Sequence, residues 1–405
     1  MTPANQVAPF CDDASKVVLP LRRSLTELIH GRTANEDKQE RLLGRLNATL
    51  QSRLSRALEA EDDLSALYYM PGPDGLRRVI DAAEHAGHSP ELLLRIGACI
   101  REYEDFLETE DIGRERLHAV LGGFYPKVRE TMMRTNGQAV FKAMSNIIGY
   151  YAETMVTCII VLPGSDPDRC TLVMLRGFRG WRRLRQEAWF LVTGTEAGPI
   201  DTDLAITTLD GVSLSEINGP PLISEFCRNA PTFELSKVHG QTRHYTLTDM
   251  DIGARSDCDF YMGEVYWNAE QLHADEHRAM SIGFAGVATP CKHMVFDMLV
   301  HHDVWPQSSP SLECYRIVPQ GIVTEANWAD RQHDRLELGV RLRKLAPGLP
   351  NIDSPTAPNY RQLAQHAFDQ LDVPVDELFG YRVATRYPLY GTQYCMRFEL
   401  PSRPR

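Results

Sequence analysis

From Ser24 to about Tyr150 the apolar residues recur at helical spacing. Leu43, Leu46, Leu50, Leu54 and Leu58 fall three or four residues apart, on one helical face. Pro71-Gly72-Pro73 ends that stretch. Ser89-Pro90-Glu91 then has the chemistry of a helix start: a capping hydroxyl, a proline suited to the first turn, and an acid facing the positive end of the dipole. Leu92, Leu93, Ile96, Ile100, Tyr103 and Leu107 continue the face. Gly113 and Gly122-Gly123 punctuate two further short helices, and Asn136-Gly137 is expected to separate the last two. The final helix carries Val140, Phe141, Met144, Ile147 and Ile148. The expectation is a bundle of about five or six helices over residues 16–152, preceded by a loose polar tail over residues 1–15.

Near Glu153 the period changes. Short β-prone runs separated by Gly, Pro, Asn and Asp follow: Met155–Leu162, Thr171–Leu175, Ala188–Thr193, Thr232–Val238, His244–Thr248, Phe260–Tyr266, His293–Val300 and Cys314–Val318. Such spacing predicts an antiparallel sandwich or barrel-like sheet over residues 153–323. Along His293–Val300 the alternation is imperfect, which predicts a strand covered on both faces. Trp267–Met280 reads as a helix among the strands, and Thr324–Leu345 as another, carrying Trp328, Leu338 and Leu345. Pro347, Pro350, Pro355 and Pro358 suggest a stiff linker. Asn359 is placed to cap a helix carrying Leu363, Ala367, Phe368 and Leu371. A hairpin closes the chain, its second strand alternating Tyr394, Met396, Phe398 and Leu400 with Cys395, Arg397 and Glu399. The expected fold class is α+β: an N-terminal helical bundle, a β-rich domain, and a small C-terminal α/β segment over residues 324–405. No internal repeat or low-complexity segment is present.

Composition narrows the class. With 43% apolar and 24% charged residues, the 405-residue chain is an ordinary globular one. Collagen-like, mucin-like and wholly disordered chains are excluded, and the length suggests two or three domains at about 150 residues each. A net charge of −11 argues against nucleic acid or an anionic membrane as the main partner, while permitting a local basic patch. Met155–Leu162 is the longest compact apolar run, far short of the roughly 20 residues a membrane span needs. Arg22 and Arg23 follow the apolar Val17, Val18 and Leu19, the reverse of a signal peptide's order. Nine cysteines are dispersed with no two at a CxxC spacing, which predicts reduced thiols and a cytoplasmic location.

Three clusters could carry chemistry. His273-Ala274-Asp275-Glu276-His277 fits the H-x-x-E-H pattern. On a helix, His273 and His277 would share a face and a zinc ion, and Glu276 would polarise a bound water. The plainer alternative is a solvated polar helix. A second cluster is Cys291, His293, His301, His302 and Asp303. On a strand Cys291 and His293 share a face whereas His301 and His302 point to opposite faces, so at most one of that pair could join His293 without a turn; the alternative is a buried strand, Met294–Val300, with polar residues at its ends. The third is Arg176, Arg179, Arg182, Arg183 and Arg185, interleaved with Phe178, Trp181 and Trp189. Arginine forks suit carboxylate and phosphate and stack on aromatic rings. Gly177 and Gly180 suggest that this patch lies on an exposed loop. A solvated loop paired with nearby acids is the alternative.

No phosphate loop, no dinucleotide-binding G-x-G-x-x-G and no nucleophile elbow occurs, so those enzyme classes lack support. The expected function is therefore a non-catalytic cytosolic regulatory, sensory or scaffolding protein. It would bind an anionic small molecule or protein partner through Arg176, Arg179, Arg182, Arg183 and Trp181, without a cofactor. The alternatives are a zinc-dependent hydrolase using His273, Glu276 and His277, and a self-assembling structural subunit.

Overall fold

Ala14, Val18, Leu21, Leu25 and Leu28 form the buried stripe of the first helix, α1 (Ala4–His30). The computed structural model describes residues 4–31, 36–109, 114–124, 126–188, 190–194, 205–239, 242–248, 251–306 and 308–403. The chain divides into two compact units, Met1–Met133 and Arg134–Arg405. In the first unit α1 is followed by α2 (Glu36–Gly44), α3 (Ala48–Leu58), α4 (Asp63–Tyr69), α5 (Pro73–His85), α6 (Pro90–Thr109) and α7 (Arg114–Phe124). Their core gathers Leu21, Leu54, Leu76, Val79, Ile96, Ile100, Tyr103 and Leu121. Each such aliphatic side chain contributes about 1.5–3 kcal/mol when fully buried.

Local chemistry sets the helix ends. The Asn47 side chain accepts from the Leu50 amide at 2.8 Å, and Asp62 accepts from the Ser65 amide at 2.8 Å. Asn47 therefore splits the leucine row of residues 43–58 between α2 and α3, rather than letting one helix carry it. The expected tail over residues 1–15 is likewise corrected: α1 takes in residues from Ala4 onward. Its stripe reaches back to Phe10, whose ring lies 5.7 Å from that of Phe106 on α6. Asn136-Gly137 does not break the chain either, because α8 (Pro126–Ile148) runs through it.

The second unit is built on a seven-stranded sheet. Its strands are β1 (Tyr150–Pro163), β2 (Arg169–Arg183), β4 (Ile206–Thr207), β7 (Cys258–Gln271), β9 (Cys291–His301), β11 (Arg343–Leu345) and β12 (Leu378–Arg386). Their spatial order is β11-β12-β9-β1-β2-β7-β4. A second sheet joins β10 (Ser311–Arg316), β13 (Thr392–Glu399) and β8 (Met280–Gly286), with β13 central. A third joins β3 (Leu191–Gly194), β6 (Thr242–Thr248) and β5 (Thr232–His239). Helices first and a β-rich unit after them make the fold α+β, as the sequence predicts.

The sheet is not purely antiparallel. β1 and β9 pair in parallel, with Thr154 opposite His293 and Cys158 opposite Asp297. One face carries Val156, Cys158, Ile160, Val173, Leu175, Val295 and Leu299 against Tyr360, Leu363, Ala367 and Phe368 of α9 (Tyr360–Leu371). The other face meets the second sheet. A Cβ at Gly283 of β8 would sit 2.3 Å from the Met298 sulfur of β9, so glycine permits the close pass. Tyr381 of β12 likewise meets Phe398 of β13, ring centroids 5.7 Å apart. Central β9 is therefore buried on both sides, which explains its imperfect alternation.

Four further expectations give way to tertiary contacts. Trp267–Met280 is no helix: β7 continues to Gln271, opposite Arg169. Thr324–Leu345 is mostly irregular, with a 3₁₀ turn over Trp328–Asp334 and the short β11. Side-chain bonds fix that turn. Asp334 accepts from Arg331 Nε at 2.6 Å and Arg316 Nε at 2.5 Å, and Glu313 accepts from Trp328 Nε1 at 2.7 Å. The proline-rich linker is a packed segment. Ile352 and Ala357 are buried, and Arg382 donates to the carbonyls of Ile352 and Asp353, each at 2.7 Å. The closing hairpin does not form, because β12 pairs with β9 whereas β13 pairs with β10 and β8. Tyr387 and Gly391, both at positive φ, lie in the connection between the two layers. No helix among the described residues is long and apolar enough to cross a membrane.

Candidate functional site

Arg176, Arg179, Arg182 and Arg183 lie within strand β2 rather than on a loop, and Arg185 follows in the bend after it. Gly177 is there because a Cβ would lie 2.4 Å from the Tyr261 ring, and Gly180 adopts φ +59° at a bulge against β7. The same two glycines suggest a loop in the sequence, and here they mark close packing and a bulge. Trp181 is 1% exposed, its ring 4.9 Å from Phe190 and 5.7 Å from Tyr150. Trp189 lies outside the described residues.

Most of the arginines are engaged within the protein. Arg176 donates to the buried Glu264 at 2.7 Å. Arg182 donates to Asp257 at 2.6 Å and to the Tyr151 hydroxyl at 3.2 Å. Burial pushes the Asp257 carboxyl up, but Arg228 and Arg182 together hold it below its ordinary value. Arg183 Nε donates to the Arg185 carbonyl at 3.0 Å, and its other end reaches the Gln186 carbonyl.

Arg179 differs. Its guanidinium donates to the Thr356 carbonyl at 3.3 Å, a carbonyl also held by the Thr154 hydroxyl at 2.7 Å. The strand registers place Arg179 opposite Thr154, Thr154 opposite His293, and His293 opposite Arg386. Register partners share a face, so these four side chains form one row across β2, β1, β9 and β12, at inter-strand steps of about 4.8 Å. Arg386 is exposed and lies against the Tyr387 ring. Among the described residues neither Arg179 nor Arg386 pairs with a carboxylate. His293, half-buried between them, titrates below its ordinary value: burial disfavours its imidazolium, and the charges of Arg386, Lys292 and Arg179 add to this against the pull of Glu153. Lys292 itself is bonded to Glu153 at 2.7 Å. The row is thus a concentration of positive charge at one end of the central sheet, bordered by the Ser354–Ala357 turn.

Further along the same face the chemistry is structural. Arg382 donates two bonds to Asp297, at 2.7 and 2.6 Å, and Tyr360 donates to it at 2.8 Å. Cys158 lies beside this group, its thiol pushed up to about 12 by burial and by the Asp297 charge. Every acceptor and donor here is committed within the fold.

His273, Glu276 and His277 occupy an irregular segment between β7 and β8, so they do not have the shared helical face expected from the sequence. Asp275 organises the segment. Its carboxylate accepts from the His277 amide at 2.8 Å, the Arg278 amide at 2.7 Å and the Gln271 side chain at 2.8 Å. Such side-chain-to-backbone bonds compete with helix formation. Glu276 and His277 face solvent, more than four-fifths exposed at 85% and 84%.

Sequence reasoning identified Arg179 and placed His293 in a different cluster, but it missed Thr154 and Arg386. No local signal reports them, because what joins them is the pairing of strands distant in sequence.

No family model matches the chain, and no curated protein matches it. A solved structure from Parabacteroides distasonis, titled a "putative protease", aligns at a TM-score of 0.28 and 9% identity, over 62% of this chain and 41% of that one. The chain thus spans about two fifths of that protein, and at that TM-score the likeness establishes neither fold nor activity.

Proposed function

We propose that the protein is a non-catalytic binder of a small anionic ligand, in a regulatory or sensory role, and that the row Arg179–Thr154–His293–Arg386 receives the anion. The carrying observation is that Arg179 and Arg386 flank a half-buried histidine without carboxylate partners among the described residues. Arg176 and Arg182 of β2 are committed to Glu264 and Asp257, and Arg183 to two main-chain carbonyls, whereas Arg179 has a single 3.3 Å bond to the Thr356 carbonyl. A phosphate or carboxylate seated between the two guanidinium groups would oppose the burial and the arginine charge that together disfavour the His293 imidazolium. The imidazolium would then become a third donor. Of the arginine patch, this reading retains Arg179 and adds His293 and Arg386.

The test is calorimetric titration of the full chain with sulfate, pyrophosphate and a dicarboxylate. Charge-assisted bonds contribute about 1.5–3 kcal/mol each. Arg179→Ala and Arg386→Ala should therefore each weaken binding roughly ten- to a hundredfold, at tenfold per 1.4 kcal/mol. Equal affinity in the double variant, or no binding of any of these anions by the natural chain, would overturn the reading.

A further inference from the structure

Strand β9 ends at His301, and the chain turns at once: the Val304 amide donates to the His301 carbonyl at 2.8 Å. That turn removes the obstacle of opposite strand faces. The rings of His301 and His302 stack with centroids 4.5 Å apart, and Asp303 joins them. One donor atom from each of the three residues lies within 4.8 Å of the other two. We propose that His301, His302 and Asp303 bind a first-row divalent transition ion of the zinc class.

The hydrogen bonds around the cluster favour this over a chance meeting of polar side chains. Glu377, just before β12, receives both rings. Its carboxylate lies 2.8 Å from His301 Nε2, and its carbonyl lies 3.3 Å from His302 Nδ1. His301 donates its Nε2–H to the Glu377 carboxylate, which leaves Nδ1 with a lone pair, and the Glu377 carbonyl offers the same support to His302 in the tautomer protonated at Nδ1. A metal-bound histidine is ordinarily held in this way, by a carboxylate or carbonyl on the far nitrogen. The two remaining nitrogens face Asp303. His302 Nε2 is 3.2 Å from Oδ1, and His301 Nδ1 is 3.8 Å from Oδ2.

A cation between His302 and Asp303 would select the tautomer in which His302 Nδ1–H points at the Glu377 carbonyl and the Nε2 lone pair faces Asp303. Ligands of a tetrahedral zinc ion stand about 3.3 Å apart, given bonds near 2.0–2.1 Å. The 3.2 Å contact already has that spacing and the 3.8 Å contact exceeds it, and the two rings, stacked at 26°, must tilt so that their near nitrogens converge on the ion. The competing contact is weak: a 3.2 Å bond from the Asp303 amide to His301 Nδ1. Two imidazoles and a carboxylate suit zinc, cobalt and neighbouring ions better than magnesium or calcium. Three protein ligands leave a fourth position for water or a ligand atom. His301 is buried whereas His302 and Asp303 are exposed, so the site opens outward.

The experiment uses the full chain after chelator treatment, titrated with Co²⁺ and then Zn²⁺. Co²⁺ should give visible d–d bands without the thiolate charge-transfer band expected of cysteine ligation, and Zn²⁺ should abolish them at one equivalent. His302→Ala and Asp303→Asn change exposed side chains, so both variants should fold with unaltered circular dichroism while losing the bands. Glu377→Gln should bind about 10–100-fold more weakly, as expected for a group that only orients ligands. Arg179→Ala should leave the titration unchanged, which separates this site from the anion row. Absence of d–d bands in the natural chain, or identical titrations for it and the His302→Ala variant, would overturn the proposal.

Discussion

The Tyr360 hydroxyl donates to Asp297 at 2.8 Å, tying α9 to the centre of the seven-stranded sheet. Asp297 already receives both forks of Arg382, and all three residues are buried. Removing one charge of a buried pair leaves the other without compensation. Asp297→Ala should therefore destabilise the protein by about 3–5 kcal/mol, read from urea unfolding. Tyr360→Phe removes a single bond to a charged group and should cost about 1.5–3 kcal/mol. Replacing Asp297 and Arg382 together by leucine and methionine should cost far less than either single change. A single-alanine cost below 1 kcal/mol would contradict this account of the pair.

The β2 arginines should separate into two behaviours. Arg176→Ala strands the carboxylate of Glu264, which is 0% exposed, and should lower the melting temperature without altering anion affinity. Arg182→Ala should do less, within about 1 kcal/mol, because the pair is partly solvated and Asp257 keeps Arg228 at 2.7 Å. Paired measurements of melting temperature and sulfate affinity check both. Loss of sulfate binding in Arg176→Ala, with its fold intact, would move the site away from Arg179.

His293 gives the protein a pH dependence whose sign can be worked out. Its folded value lies below the ordinary 6.5, so the unfolded chain takes up a proton there first. Stability from this group is complete above that pH and falls as pH drops through it, levelling off below the folded value. His293→Gln should flatten the fall relative to the natural chain, and that difference isolates His293 from His88, which is shifted the same way in the other unit. A bound anion should reverse the trend locally. Sulfate, whose charge is constant over this range, should bind more tightly at pH 5.5 than at pH 7.5 in the natural chain and not in His293→Gln.

The thiols should divide by burial. All nine cysteines are free; seven are buried, while Cys11 and Cys227 are half-buried. Burial pushes the thiols of Cys158, Cys170, Cys258, Cys291 and Cys314 up to about 12, so little thiolate forms there at neutral pH. Alkylation of the native protein, followed by mass spectrometry, should reach Cys11 and Cys227 and spare the rest until denaturant is added. Early labelling of Cys158 would mean that α9 opens readily.

Local patterning revealed the elements where side-chain burial followed the backbone period. The α6 start at Pro90 and the runs that became β1, β5, β6 and β9 fall into this group. It failed where distant groups decide the conformation. β8 needs Gly283 only because Met298 passes beneath it, and the Trp328–Asp334 turn exists because Asp334 collects Arg316 and Arg331. The candidate anion row was half-legible. Arg179 stands out in a dense run of arginines, but its relation to Arg386 passes through the parallel pairing of Thr154 with His293. The His301–His302 pair was visible in the sequence, and what brings the two rings together was the end of a strand.

The parallel pairing of β1 with β9 also bears on synthesis. β1 and β2 are sequence neighbours and can zip together as soon as they leave the ribosome. β9 arrives much later, and its far edge is closed only by β12. A nascent chain halted before Leu378 would display nine residues of β9, His293 to His301, as an unsatisfied edge rich in methionine and branched aliphatics. Open edges of that kind recruit other chains. β12 therefore seals this edge, and a chain truncated before Leu378 should aggregate more readily than the chain that carries it.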